Sequence, residues 1–278
     1  MSERKAIFIT GAASGMGLAT ARLFASKGWF VGGFDVNDAG LDELQKELGQ
    51  ENCITGRLDV RDIEAFHQSV ARFAEASGGR MDVMFNNAGI GESGRFHEVP
   101  HENAMNVVEV NLKGVINGCY AAIPVLKETP GSLMFNNASS SATYGMPGIA
   151  VYSATKHGVK GLTEALSVEW AEFGVRVADS LPGLINTPIL SGTPNHSGDD
   201  VKHEDIVTRA PKKGMFALTE PVEVAKAVYA SYEDKKGRLH WYIPKGIGWL
   251  DRLKALKPEF VRAQLMKRAG SEGGLFGE

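Results

Sequence analysis

Tyr152 and Lys156 stand four positions apart, a spacing that puts two side chains on one face of a helix, one turn from each other. A free phenol titrates near pH ~10 and carries protons poorly at neutrality. An ammonium group close by favours the phenolate, so such a pair can move a proton on and off an alcohol oxygen near neutral pH. The spacing alone occurs by chance on many helices, and its company decides its meaning. Three serines, Ser139, Ser140 and Ser141, precede it; they read as hydroxyl donors or as a polar loop. Asn111 sits in an otherwise apolar helical stretch, where a buried amide needs a hydrogen-bond partner.

A second group of residues suits a ligand rather than a reaction. Thr10-Gly11-Ala12-Ala13-Ser14-Gly15-Met16-Gly17 follows an all-apolar segment, Ala6 to Ile9, and precedes a helical pattern through Leu18, Ala21 and Phe24. A glycine-rich turn between strand and helix lets the backbone approach a pyrophosphate, and the helix N-terminus supplies free N–H groups. The Gly-Lys-Ser/Thr ending of a nucleoside-triphosphate loop is missing, which argues against an ATPase. Asp35 closes the next strand, eighteen residues after Gly17, with Val36 and Asn37 behind it. A carboxylate there accepts hydrogen bonds from a ribose 2′-hydroxyl and repels a 2′-phosphate, which selects NAD over NADP.

The elements that carry these residues alternate. Strands are expected at Ala6–Ile9, Phe30–Phe34, up to Leu58-Asp59-Val60, Met81–Phe85, Ser132–Phe135, Val175–Leu181 and Leu239–Ile243. Helical patterns lie between them, including a long helix from Asn103 to about Glu128 and another bearing Tyr152 and Lys156 that ends near Gly174. Strand and helix in alternation give right-handed βαβ units and an α/β fold: a doubly wound, Rossmann-like parallel sheet of about seven strands with helices on both faces. Ligands bind such sheets at the carboxyl ends of the strands, where Gly11, Asp35, Asp59 and Asn87 all fall. Residues 1–244 read as one NAD-binding catalytic domain, and 245–278 as an amphipathic tail belonging to it.

Composition excludes several classes. With 278 residues, 43% hydrophobic and 23% charged, the chain can build a packed core. A formal net charge of −3 leaves no footprint for nucleic acid. Cys53 and Cys119 read as reduced core residues, and no Cys/His cluster has metal-ligand spacing. No run is long enough for a membrane span, and no apolar signal region opens the chain, so a cytoplasmic location is expected. Residues Ile189 to Met215 are polar and read as a mobile excursion near the site, with His196 and His203 as solvated loop residues. Between Lys245 and Gly270, seven Lys/Arg face two acids, and the tail is expected to pack over the cleft or against a neighbouring subunit rather than on an anionic membrane.

Taken in order, these motifs resemble the short-chain dehydrogenase/reductase family, over Lys5 to about Pro244. Thr10–Gly17 is similar to that family's cofactor loop, through Gly11, Ser14, Gly15, Met16 and Gly17. Asp59-Val60 resembles its adenine contact, and Asn86-Asn87-Ala88-Gly89 the segment bordering the adenosine ribose. Pro182-Gly183 through Ile185 and Thr187 resembles its nicotinamide loop. Asn111 falls at the catalytic Asn, and Tyr152 and Lys156 at the Tyr-x-x-x-Lys pair. The family's serine, thirteen positions before the tyrosine, selects Ser139, although Ala138 stands where a serine often precedes it. The resemblance implies that Ser139 binds the substrate oxygen, Tyr152 transfers its proton, Lys156 lowers the tyrosine pKa and holds the nicotinamide ribose, and Asn111 holds a water. It implies NAD as cofactor, hydride exchange with a secondary alcohol or ketone, and a homodimer or homotetramer. Phe96, Tyr144, Met146, Leu184, Ile189 and Leu190 are the expected pocket residues, which favours an apolar substrate. An epimerase or dehydratase on the same scaffold, and a non-catalytic NAD(H) sensor, are the competing readings. The short segment after the nicotinamide loop opposes the first, the complete Ser-Tyr-Lys set the second.

Overall fold

The structure, a computed structural model, describes residues 4–197, 208, 210–214 and 216–269. Seven strands form one fully parallel sheet in the order β3-β2-β1-β4-β5-β6-β7. They are β1 (Ala6–Thr10), β2 (Phe30–Asp35), β3 (Cys53–Arg57), β4 (Val83–Asn86), β5 (Leu133–Asn137), β6 (Arg176–Pro182) and β7 (His240–Ile243). The chain builds outward from β1 in one direction and then from β4 in the other. The crevice between these two strands is where such sheets bind ligands.

Helices cover both faces, so the central strands are apolar throughout rather than alternating. Along β1, Ala6 and Phe8 enter one core cluster while Ile7 and Ile9 enter the other. The first cluster lies under α3 (Ile63–Ala76), α5 (Gly114–Lys127) and α6 (Ala150–Glu169), which contribute Phe66, Val70, Phe73, Val115, Leu126 and Val159. The second lies under α1 (Gly15–Ser26), α2 (Asp38–Leu48) and, later in the chain, the helix Pro221–Glu233, with Ala21, Phe24, Leu44, Val224 and Val228. Both cysteines are buried and free.

Three expectations shift. The third strand stops at Arg57, where Leu58 N makes the last rung to β2 by donating to Asp35 O at 2.9 Å. The fourth spans Val83 to Asn86 rather than starting at Met81. The long helix is two, α4 (His101–Val108) and α5, joined by a π turn over Glu109–Lys113. Asn111 lies at the middle of that turn, fully buried. A π turn is a local widening that marks functional sites more often than plain helix does. α6 ends as expected, through a 3₁₀ turn to Gly174 at φ 71°.

Beyond β6 come α7 (Ile189–Gly192), α8 (Pro221–Glu233, with Pro221 in its first turn), β7, α9 (Ile247–Leu256) and α10 (Pro258–Ala269). Among the described residues, no helix is long and apolar enough to cross a membrane, and no group of His, Cys, Asp and Glu could hold a metal.

Candidate active site

A cleft of about 1490 Å³ runs along the carboxyl ends of the strands. At one end it is walled by backbone. Gly11 has φ +67° and Gly15 φ +53°, conformations that side chains rarely adopt. A Cβ on Gly17 would lie 2.0 Å from Gly11 O, so α1 can lie against the turn only because position 17 carries no side chain. A Cβ on Gly15 would meet Thr187 at 3.0 Å, which shows how closely the two walls approach. α1 has no acidic residue in its first turn and no side-chain cap on its N–H groups, which suits an anion. Gly11, Ser14, Gly15 and Met16 line the cleft, whereas Gly17 lies behind it and acts through packing.

Asp35 stands at the rim of this end. Its carboxylate accepts from Ala13 N and Asn37 N, both at 3.0 Å, which fixes it toward the cleft. Arg57, in register with Asp35 across β2 and β3, brings a cation that sequence order concealed. Its guanidinium is engaged, donating to Val36 O at 2.6 Å and to Asp38 at 2.8 Å. Asp59 and Val60 line the cleft. The Asp59 carboxylate is held by Arg61, at 2.6 Å from Nη2, and these hydrogen bonds keep its pKa below the usual range. Arg61 also donates to Asn106 at 2.9 Å, tying this rim to α4.

The floor of the cleft is a ladder of amides. Asn87 Nδ2 donates to Thr10 O at 3.0 Å and to Gly11 O at 3.2 Å, and Asn137 Nδ2 donates to Asn87 Oδ1 at 3.3 Å. Ser180 donates in turn to Asn137 Oδ1 at 2.9 Å. One polar chain thus crosses β1, β4, β5 and β6 at their carboxyl edge, and buried groups so paired escape the cost of desolvation. Asn137 did not figure in the sequence reading. The signal was there: Met84-Phe85-Asn86-Asn87-Ala88 is repeated letter for letter as Met134-Phe135-Asn136-Asn137-Ala138, and the two copies pair in register.

The reactive residues converge over this floor. Lys156 is buried and donates to Asn137 O at 2.7 Å, with its Nζ 5.6 Å from the centre of the Tyr152 ring. Ser139 caps a short 3₁₀ turn by accepting from Ser141 N at 3.2 Å, and its hydroxyl hydrogen-bonds the Tyr152 phenol. Ser140 and Ser141 also line the cleft; Tyr152 takes its hydrogen bond from Ser139. Asn111 is held at both atoms of its amide: Oδ1 accepts from Ile90 N at 2.8 Å and Nδ2 donates to Ile90 O at 2.9 Å. Its amide therefore fixes the loop after Gly89, where a Cβ would stand 3.2 Å from Asn111 Oδ1 and 3.7 Å from Lys156 Nζ. Ala88 and Gly89, with Pro182, Gly183, Ile185 and Thr187, complete the wall around Tyr152 and Lys156.

Titration departs from the expectation that Lys156 lowers the tyrosine. Burial pushes the Tyr152 phenol up, and the Ser139 hydroxyl acts in the opposite sense. Burial also lowers the Lys156 ammonium, from 10.5 to about 8. Desolvation disfavours the charged form of both groups.

The far end is apolar, with Met146, Leu184, Ile189 and Leu190 in its lining. Phe96 is 70% exposed and outside the cleft, and Tyr144 lines a separate shallow hollow behind α6. Beside Tyr144 it is Thr143 that lines the cleft, a matter of loop direction that spacing does not reveal. His196 is not a solvated loop residue. Its Nε2 hydrogen-bonds the buried carboxylate of Glu92, which lines the cleft. Backbone bonds between Ser93 and residues 194 and 196, at 3.0 Å each, clasp the same two segments. His203 and Met215 lie outside the described residues. Ile247 and Leu250, from the tail, close this end.

Comparison with known proteins agrees with this geometry. The cyclohexanol dehydrogenase of Acinetobacter sp. (strain SE19) is 31% identical over 231 residues, covering 81% of this chain and 86% of that protein. A short chain dehydrogenase/reductase from Burkholderia phymatum, solved in complex with NAD, superposes with a TM-score of 0.79 at 25% identity, over 94% of this chain and 97% of that one. An alcohol dehydrogenase from Thermococcus sibiricus, complexed with 5-hydroxy-NADP, gives 0.72 at 28% identity, over 86% of this chain and 95% of that one. The family model described as short chain dehydrogenase matches residues 5–197. With its seven-stranded parallel sheet and a Tyr-x-x-x-Lys pair at the strand ends, the chain belongs to the short-chain dehydrogenase family.

Proposed function

We propose that the protein is an NAD-dependent oxidoreductase that exchanges hydride between the nicotinamide and a secondary alcohol or ketone with an apolar body. The observation that carries this is the convergence of Ser139, Tyr152 and Lys156 at the junction of a glycine-walled channel and an apolar chamber. The residues present suit the dinucleotide: a bare backbone wall at Gly11 and Gly15, an uncapped helix start, and a rigid carboxylate at Asp35. When bound, the cofactor supplies the hydride acceptor or donor. The chain supplies position and proton transfer. Ser139 hydrogen-bonds the substrate oxygen; Tyr152 gives or takes its proton; Lys156, anchored on Asn137 O, stands behind the phenol as the next proton carrier. Asn111, with its amide on Ile90 and the π turn around it, is the residue that would hold a water near Lys156.

Cofactor choice rests on Asp35, whose carboxylate would accept from a ribose 2′-hydroxyl and repel a 2′-phosphate, while Arg57 is paired with Asp38. The hydrophobic chamber and the cyclohexanol dehydrogenase relative together favour cyclic or aryl-substituted alcohols. The outward faces of α5 and α6 leave Tyr120 and Val168 exposed, at 70% and 77%, and these suit pairing into a homodimer or homotetramer. The test is a panel of secondary alcohols and ketones followed at 340 nm with each cofactor. Turnover of cyclohexanol with NAD, and kcat/KM at least about tenfold lower with NADP, is expected. Equal values for the two cofactors overturn the NAD assignment, and no turnover of any alcohol or ketone overturns the activity.

A further inference from the structure

The tail lies beyond the matched segment 5–197, yet it supplies two walls of the cleft. Ile247 is 2% exposed, and it lines the apolar end together with Leu250. Of the ten residues of α9, only Ile247 and Gly248 are buried, while Trp249 and Leu256 face outward. Apolar burial alone therefore holds this helix weakly. Two other contacts seat it. Gly248 lies flat on the ring of Tyr242, where a Cβ would come within 2.8 Å of the ring. Asp251 Oδ2 accepts from Lys160 Nζ and from the Tyr242 hydroxyl, each at 2.7 Å. The Lys160 and Asp251 side chains are both 16% exposed. A shielded ion pair that is also hydrogen-bonded leaves an uncompensated charge if one partner is lost. Lys160 follows Lys156 by one turn on α6, so the strap is fastened to the helix that carries the reaction.

We infer that α9 is a strap that sets the size of substrate the cleft accepts, and that Asp251 is the positioning residue that fastens it to the catalytic helix. Leu250 and Ile247 form the end stop of the chamber that Met146 and Leu184 also line. A ketone with one ring stops short of them; one with two fused rings packs against them. The inference rests on the proposed alcohol/ketone activity, and its test separates the two.

The test compares cyclohexanone with 2-decalone, using NADH, in the full-length parent, Asp251→Asn and Leu250→Trp. Asp251→Asn is expected to raise KM for 2-decalone about fivefold or more, with kcat/KM for cyclohexanone within about twofold. Amide hydrogen exchange across residues 247–256 should quicken by about tenfold while that of 150–165 stays unchanged. Leu250→Trp fills the chamber and should lower kcat/KM for 2-decalone about tenfold or more, sparing cyclohexanone. Parent-like exchange and KM in Asp251→Asn overturn the fastening. Equal losses on both ketones in Leu250→Trp overturn the size stop. A parent that reduces neither ketone overturns the activity instead, and this is distinguishable because exchange is measured without substrate.

Discussion

At its glycine-walled end, the proposed adenosine end, the cleft is made of backbone, with Gly17 close against Gly11 and Gly15 against Thr187. At its substrate end it is made of side chains that reach across long stretches of chain. Glu92 meets His196 from 104 positions away, and Lys160 meets Asp251 from 91. The first end has almost no freedom, because a turn that fits only glycine cannot absorb a methyl group. The second can change one residue at a time, since each wall is an independent contact. A fixed ligand at one end and a variable one at the other would call for this division, and Lys156 stands where the two meet.

Gly17→Ala strikes hardest at that contrast. A Cβ 2.0 Å from Gly11 O must displace the turn or the helix; overpacking costs about 1–3 kcal/mol. NADH affinity should fall by up to ~100-fold in a fluorescence titration, and parent-like affinity would mean that the adenosine end is as adaptable as the other. Next in size is Tyr152→Phe, which keeps the ring and removes the proton. Turnover should drop by about 10²–10⁴ with NADH affinity within about threefold. Near-normal turnover would place the proton transfer on another group.

Lys156 allows a test at the meeting point. Its amine is protonated above pH 10 in the unfolded chain but only up to about 8 when folded. Between about pH 8 and 10.5 the unfolded state binds more protons, so the parent gains stability as pH rises through that window. Relative to Lys156→Met, the gain should reach roughly 2–3 kcal/mol by denaturant titration. A difference that does not vary with pH would show that the amine is not held down by burial. The smallest effect is expected from His196→Ala, which removes one side-chain contact of a clasp that keeps its backbone bonds. KM for ketones should rise by about two- to fivefold with no change in NADH affinity. An equal loss of NADH affinity would join the two ends into one unit and end the comparison.

The same division decided what could be read from the sequence. The sheet, the glycine turn and the Tyr-Lys pair depend on short-range pattern, and their elements fall within a few residues of expectation. The end of β3 and the π turn were not legible, because the point where a ladder runs out and a widened turn leave no periodic trace. Arg57 beside Asp35, Asn137 under Lys156, Glu92 on His196 and Asp251 on Lys160 are all meetings of distant segments. Of these only Asn137 had a written signal, in the repeated Met-Phe-Asn-Asn-Ala. The burial that pushes the Tyr152 phenol up was hidden for a related reason: a spacing shows which charges are neighbours but not how much water they lose.

The π turn at Glu109–Lys113 also has a meaning as a count. An α-helix advances about 100° per residue, and a π turn is one residue that adds to the chain without adding its share of rotation. α4 can thus turn Val107 inward, and α5 Cys119, Ala122 and Leu126, although one uninterrupted spiral would bring these faces out of phase. Deleting a single residue within 109–113 would restore the regular spiral and keep the downstream faces in phase, whereas straightening the turn with every residue kept would roll everything downstream through about 100°. Tyr120 would then be wound toward the sheet and a buried neighbour toward water. The extra residue is a vernier between two helices, and Asn111 is the mark at which they are set.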